Sequence, residues 1–276
     1  MSNDEQIIKN YGHGELLSSI EVALGKLNKT TNSVTIEDLG PVDEFHIGSR
    51  AATDHFVKQL GFSSDDTVLD VGCGLGGAAR YVATKFNCSV EGIDLTDEYV
   101  QTGNTLSSWV KLLDKVNLVQ GSATSMPYQN EQFNGAYMLH VGMNIEDKKK
   151  LFSEVGRTLK TGGIFGIYDI MKTQEGELTF PVPWASDNSI SKLANLQTYK
   201  DLLKESGFEI VAESNRSDFA LEFFKNMMAK TKANGGPAPL GLHTLMQAST
   251  PAKIQNMIAN ISNELIAPIE LVARKI

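Results

Sequence analysis

Three features of this chain combine residue types and spacing that could do chemistry. The run VLDVGCGLGG (68–77) places Gly72, Gly74 and Gly77 as G-x-G-x-x-G. After an apolar run and before a helix, that spacing builds a loop whose bare backbone a ligand can approach. Gly72 permits the tight turn, and Gly74 puts no Cβ in the ligand's path. Asp94 follows 17 residues after Gly77, at the end of the next apolar run. A carboxylate there can accept both hydroxyl hydrogens of a ribose. Two nucleoside cofactor classes fit: a dinucleotide, with its pyrophosphate on the helix N-terminus, and S-adenosylmethionine, which has no phosphate. The glycines alone do not choose between them, and alone would also serve close helix–strand packing. The third feature is His140, which closes the apolar run 133–139. With an ordinary pKa of about 6.5 it can take a proton or hydrogen-bond a substrate; the alternative is a histidine that only shapes the pocket.

The elements that must position these residues follow from periodicity. Short apolar runs at 67–71, 88–93, 116–120, 133–139, 164–170 and 208–213 read as strands. Residues 75–86, 96–112, 146–159 and 198–206 read as intervening helices, with Thr161-Gly162-Gly163 as a left-handed stop after the third. The alternation implies parallel strands with helices on both faces, and ligands beyond the carboxyl ends of the strands. The expected architecture is a doubly wound, mostly parallel seven-stranded α/β sheet with a helical lid. Its parts are an N-terminal helical segment and lid (1–53), a core (54–213), a helical cap insertion (214–265) and a last core strand (266–276). Within 1–53, residues 15–27 and 49–60 are expected helices, with Ser49 as N-cap. In the cap, 217–232 and 250–265 are expected helices around the breaker run NGGPAPLG (234–241), with Thr250 as N-cap.

DVGCGLGG (70–77) resembles the first motif of class I S-adenosylmethionine-dependent methyltransferases. Further motifs agree in order: GIDL (92–95) resembles the ribose-binding motif, Gly121-Ser122-Ala123 with Met126-Pro127-Tyr128 the adenine-side loop, and Leu159-Lys160-Thr161-Gly162-Gly163 the turn before the fifth strand. The resemblance covers roughly residues 45–213, and implies S-adenosyl-L-methionine as cofactor on Gly72, Gly74, Asp94, Leu95, Ser122, Ala123 and Leu139. Ser122 stands where the family often has an aspartate, so it is the weaker acceptor for the adenine amino group. HIGSRAAT (46–53) resembles the segment preceding the first motif in the branch of sarcosine/dimethylglycine and phosphoethanolamine N-methyltransferases and quinone C-methyltransferases. It implies Arg50 as partner of the cofactor carboxylate, or else an ordinary surface arginine.

Methyl transfer from a sulfonium is an in-line displacement, so the protein must place the nucleophile and exclude water. A base is needed only where the nucleophile arrives protonated. His140 is the catalytic candidate. Tyr11, His46, Asn144, Tyr168 and Trp184 are the substrate-side candidates, with His13 beside Tyr11. Tyr168 and Asp169 alternate, so only one faces the pocket. Trp184 walls the substrate or packs under its loop. On the resemblance, N-methylation of an amine or amino acid ranks first. C- or O-methylation of an aromatic or isoprenoid compound is the alternative, ahead of an NAD-dependent oxidoreductase or a non-catalytic cofactor-binding module.

Composition narrows the partners. The chain has 276 residues, 41% of them hydrophobic, which suffices for a core. Its formal net charge is −8, which disfavours nucleic acid and anionic membrane. No window approaches about 18 apolar residues, so no membrane insertion is expected. The polar start MSNDEQIIKN fits a cytoplasmic protein. Two cysteines and scattered histidines predict neither a disulfide framework nor a metal site. A small-molecule substrate is the expected partner, and a homodimer fits as well as a monomer.

Overall fold

Alternating side chains sort the central strands onto two apolar layers. Leu69 and Val71 of β1 (Thr67–Val71), Ile93 of β2 (Ser89–Asp94) and Met138 of β4 (Phe133–Leu139) join one buried cluster. Val68, Val90 and Tyr137, one residue out of step, join the other. The computed structural model describes residues 3–12 and 14–276; His13 lies outside them. The remaining strands are β3 (Val116–Gln120), β5 (Leu159–Lys172), β6 (Phe208–Asn215) and β7 (Ile266–Lys275). They form one seven-stranded sheet of order β3-β2-β1-β4-β5-β7-β6. Pairing is parallel from β3 to β5, and β7 runs antiparallel between β5 and β6. The expected doubly wound, mostly parallel sheet is present. β1 and β4 meet at its centre, where the strand order reverses, and their carboxyl ends open a crevice.

Helices α1 (Asn3–Tyr11), α2 (Leu16–Lys26), α3 (Ile36–Asp43) and α4 (Ser49–Val57) precede β1. Helices α5 (Gly77–Phe86), α6 (Asp97–Trp109), α7 (Lys148–Thr158) and α8 (Leu196–Glu205) cover the sheet. Between β6 and β7 lie α9 (Ser217–Ala233), α10 (His243–Met246) and α11 (Thr250–Ser262). Helix α3 escapes the periodicity reading because it is short and contains Pro41. Its sequence signal is Thr35-x-x-Asp38, a reciprocal capping box in which Thr35 Oγ1 accepts from Asp38 N and Asp38 accepts from Thr35 N.

Three expected details are corrected. Ser49 is not an N-cap: Gly48 holds that position with φ +91°, and Ser49 already lies in α4. The cap of α11 is Ser249, one residue before Thr250. The glycines at 162–163 do not stop α7. That helix ends at Thr158, and Leu159 at once pairs with Phe133. Residues 160–163 then form an irregularity before the register resumes at Gly135↔Ile164, with Gly162 at φ +82°.

One buried contact ties the N-terminal helices to the glycine loop. The Arg80 guanidinium in α5, with no exposed surface, donates to Asp43 Oδ2 (2.6 Å), Leu75 O (2.7 Å), Gly103 O (3.0 Å) and Ser107 Oγ (2.9 Å). Gly77 is required beneath it, since a Cβ there would stand 2.3 Å from the Asp43 carbonyl oxygen. Removing one member of a buried ion pair strands the other charge. Arg80→Met is therefore expected to cost roughly 3–5 kcal/mol in urea unfolding. The double variant Asp43→Leu/Arg80→Met should cost less than the two single variants together; strict additivity would show that the pair is not coupled.

Candidate active site

A cavity of about 490 Å³ opens beyond the carboxyl ends of β1, β2 and β4. The glycine loop forms its floor. Gly72 has φ +73°, and a Cβ there would lie 2.4 Å from the Val141 side chain. A Cβ on Gly74 would meet nothing nearer than the Tyr99 ring at 4.0 Å, so the loop backbone faces free space at that point. Asp94 ends β2 with its carboxylate fixed by two backbone amides, Gly74 N to Oδ2 at 2.8 Å and Thr96 N to Oδ1 at 2.9 Å. The Thr96 hydroxyl and the Leu95 amide add to this set of donors. Leu95, Ser122, Ala123 and Leu139 also line the cavity. The Ser122 hydroxyl is engaged by Thr124, at 3.0 Å between the oxygens, which makes Thr124 an additional wall residue that the motifs did not single out.

His140 sits on the same wall in a left-handed conformation, φ +57°. Two bonds hold it there. Its backbone N–H donates to Tyr168 O at 2.7 Å, and Nδ1 meets the same carbonyl at 3.1 Å. Because that carbonyl only accepts, Nδ1 carries the ring proton and Nε2 keeps its lone pair. The Ile47 N–H approaches Nε2 at 3.4 Å. Burial lowers the His140 pKa to about 3, with nearby His46 adding to the shift. His46, also on the wall, is lowered to about 4 by burial, opposed by its bond to Ser49 O. Both rings are neutral at physiological pH.

Tyr11 and Asn144 meet across the cavity, with the Tyr11 hydroxyl 3.4 Å from Asn144 Nδ2 and 3.5 Å from Oδ1. Tyr11 also stands edge-on to Phe45 and Tyr99, centroids at 6.3 and 6.1 Å. Helix α1 thereby brings Tyr11 over the glycine loop. Burial pushes the Tyr11 and Tyr99 hydroxyls far above the usual phenol range, so both stay protonated. Ile7, Val42, Ile145 and Leu245 complete an apolar part of the wall. Asp4, Asp43, Asp70, Asp94, Glu146 and Asp147 supply its carboxylates, and among the described residues no lysine or arginine lines it. Leu245 comes from the cap and Asp4 from α1; neither carries a motif, so only the tertiary fold reveals them.

Three sequence candidates lie elsewhere. Arg50 does not reach the cavity: it pairs with the buried Glu44, donates to Ile36 O at 3.2 Å and stacks on the Tyr81 ring at 4.4 Å. Tyr168 stands behind His140 rather than on the wall, its hydroxyl donating to Ile47 O at 3.1 Å and its ring 4.7 Å from His140. Trp184 is buried among Ile47, Met143, Met257 and Ile261, with Nε1 donating to Ser191 at 3.0 Å. Asp169 braces the turn after β4: it accepts from Tyr199 OH at 2.6 Å and from the Gly142 amide. Among the described residues no group of three or more His, Cys, Asp or Glu could hold a metal ion.

Known proteins are similar to this chain in sequence and in fold. Residues 69–167 match the family model described as a methyltransferase domain. The chain is 30% identical to a sterol 24-C-methyltransferase of Eremothecium gossypii over 177 residues, 62% of this chain and 48% of that one. It is 29% identical to the sterol 24-C-methyltransferase of Debaryomyces hansenii over 175 residues, 61% and 46% of the two chains. The chain thus spans about half the length of these curated relatives. In fold it is similar to geranyl diphosphate C-methyltransferase from Streptomyces coelicolor A3(2), at TM-score 0.71 and 17% identity over 100% of this chain and 98% of that one. It is also similar to phosphoethanolamine N-methyltransferase 2 of Haemonchus contortus, at TM-score 0.70 and 20% identity over 92% and 59%.

The wall carries opposed titrations. Burial raises Asp70 to about 7 and Asp169 to about 6, against the pull of hydrogen bonds from Tyr137 and Tyr199. The stability these carboxyls contribute is present at acid pH and is lost as pH rises toward 7. The histidines act oppositely: their contribution is present above about 6.5 and is lost as pH falls toward 4 and 3. Asp70→Asn removes a carboxyl contribution, so its unfolding free energy should fall more steeply between about pH 6.5 and 4.5 than the parent's. His140→Gln should fall less steeply. Urea unfolding at half-unit pH steps reads both slopes; three equal slopes would contradict the assignment.

Proposed function

The chain carries a class I S-adenosylmethionine-dependent methyltransferase domain, and from that premise we propose that it is an enzyme methylating a carbon atom of a neutral, isoprenoid-like lipid. The site suits the cofactor. Asp94 offers two fixed acceptor positions for the ribose hydroxyls, and Gly74 leaves its backbone open. Leu95, Ser122, Ala123 and Thr124 would flank the adenine. The Asp70 carboxyl suits the positive sulfonium end. When bound, S-adenosylmethionine supplies an electrophilic methyl group that an electron-rich atom displaces in line from sulfur.

The observation that carries the carbon-centred reading is a cavity wall of aromatic rings and carboxylates without a lysine or arginine among the described residues. A substrate bearing phosphate would be desolvated there near Asp94, with no lysine or arginine among the described wall residues to balance it. An uncharged alkene would not. Methylation of an alkene carbon leaves a carbocation on the substrate, and the faces of Tyr11, Phe45 and Tyr99 with the nearby carboxylates suit a developing positive charge. Closing the bond back to an alkene requires loss of a proton from the adjacent carbon. We assign its acceptance to His140 Nε2, left unprotonated by the Nδ1 bond to Tyr168 O and met, among the described residues, only by the long 3.4 Å contact from the Ile47 N–H, which the proton would displace. A base of low pKa suffices, because such a proton is strongly acidic. Tyr11 and Asn144 would close over the substrate and keep water from the cation.

This reading reverses the order expected from sequence, where N-methylation stood first. The relatives matched in sequence are sterol 24-C-methyltransferases.

Titration calorimetry and product analysis test the proposal separately. S-adenosylmethionine should bind saturably, and Asp94→Ala should weaken it roughly 10–100-fold, the loss of two charge-assisted hydrogen bonds. With a methyl-deuterated cofactor, label should appear in organic-extractable sterols or isoprenoid alkenes dispersed in detergent. His140→Ala should lower kcat roughly 100-fold or more while leaving cofactor affinity unchanged. Label confined to amines would overturn the carbon-centred reading.

A further inference from the structure

The charge of this chain is unevenly distributed. Residues 223–263, a 41-residue stretch holding most of α9 with α10 and α11, contain Lys225, Lys230, Lys232 and Lys253 and no aspartate or glutamate. The stretch stands at +4 in a chain of −8, which leaves the remainder at −12. It also holds four of the nine methionines: Met227, Met228, Met246 and Met257.

Helix α9 turns this composition into a surface. Ala220 and Phe224 are buried against the cap core, with Phe223 and Met227 packed beside them. Lys225, Met228 and Lys232 recur at i, i+3 and i+7, and so share a different face, while Leu221 packs inward with Phe223 and Met227. On it Met228 is 46% exposed, and Lys225 and Lys232 are exposed, as is Lys230 at its side. Lys225 lies 3.6 Å from Glu222. Lys230 and Lys232 make no ion pair or side-chain hydrogen bond among the described residues. The last three turns of α9 thus present apolar and cationic groups to solvent with no acid between them. The following loop (234–241) leads directly into α10, whose Leu245 lines the cavity.

We propose that the outward face of α9 docks on an anionic lipid surface, holding the cap against the bilayer that carries the substrate. The proposal rests on the lipid-substrate reading above. Lysines beside an exposed methionine on a helix suit an interfacial contact, in which ammonium groups meet anionic headgroups and the methionine enters the acyl boundary. The net charge of −8, taken as an average, argues against any anionic surface; its segregation removes that objection for this face and orients the molecule, since the acidic remainder is repelled. Docking is peripheral, and no helix among the described residues is long and apolar enough to cross a membrane.

Flotation of the full chain with extruded vesicles tests this directly, without substrate. Vesicles of phosphatidylcholine with 30 mol% phosphatidylglycerol, as about a third of the lipid, should carry the protein upward; pure phosphatidylcholine should not. Raising the salt to about 0.5 M should release it. Lys225→Gln/Lys230→Gln/Lys232→Gln should cut the partition coefficient roughly 100-fold, about five-fold for each lysine, with S-adenosylmethionine affinity unchanged. Met228→Ser should weaken binding with the salt dependence intact. No flotation with anionic vesicles, or flotation unaltered by the triple variant, overturns the proposal. So does a concentration-dependent dimer in sedimentation velocity that the triple variant abolishes while vesicles remain unbound, because the face would then receive a second copy of this chain. If detergent-dispersed alkene is methylated but vesicles are not bound, only the docking proposal falls. If vesicles are bound but no alkene is methylated, only the substrate reading falls.

Discussion

The Arg80 guanidinium, without exposed surface, holds the carbonyl of Leu75 in the glycine loop, the carbonyl of Gly103 in α6 and the carboxylate of Asp43 at the end of α3. Burial pushes the Asp43 carboxyl above its ordinary range even as Arg80 pulls it down. The cost of burying this pair is offset only while all its partners stay in place. The contact therefore behaves as a specification more than as a source of stability. It fixes where the N-terminal helices sit over β1 and β2. Everything that α1 and α3 contribute to the cavity, Tyr11, Val42 and Asp43 included, depends on that placement.

The electrostatics of the cavity follow from the same burial. Two imidazoles are kept neutral by desolvation, and two carboxyls, Asp70 on the wall and Asp169 behind the turn after β4, are pushed upward. Nearby cations are held by other groups: Arg50 by Glu44 and Tyr81, Lys148 by the carbonyls of Ile145 and Lys192, and Arg80 by the loop carbonyls and Asp43, the one wall acid it balances at close range. Among the described residues Asp94 has no such basic partner and is held by backbone amides. A positively charged cofactor and a positively charged transition state are favoured there by the same groups.

The cap extends this logic to the outside. Acidic residues outnumber basic ones in the rest of the chain, and the segment from Phe223 to Asn263 has none. A uniformly acidic surface would keep the molecule away from anionic lipid. Segregated charge lets one face approach while the others are repelled, so a single helix can decide orientation as well as contact. Loading of a poorly soluble substrate would gain from that orientation, because Leu245 links the cap to the cavity through one short helix.

The sequence by itself determined the sheet and the floor of the site. The runs at 67–71, 116–120 and 133–139 match the strands residue for residue, because a buried parallel strand must be apolar on both faces and its ends are marked by glycine or turn residues. The positions of Gly72, Gly74 and Asp94 were legible because backbone geometry and one carboxylate at a strand end are local properties. Substrate-side residues were not, because a side chain's direction depends on what packs behind it. Arg50 reads as a free cation until Glu44 and Tyr81 are placed beside it, and Trp184 reads as a pocket wall until the cap closes over it. Helix α3, with its proline and short length, was hidden for the same reason: its stability comes from the capping box and from docking on α5, not from its own period. Whether the cavity favours nitrogen or carbon chemistry was a question of which charges reach its wall. Only the tertiary structure shows which charges those are, because the partners that hold Arg50, Arg80 and Lys148 come together only in the fold.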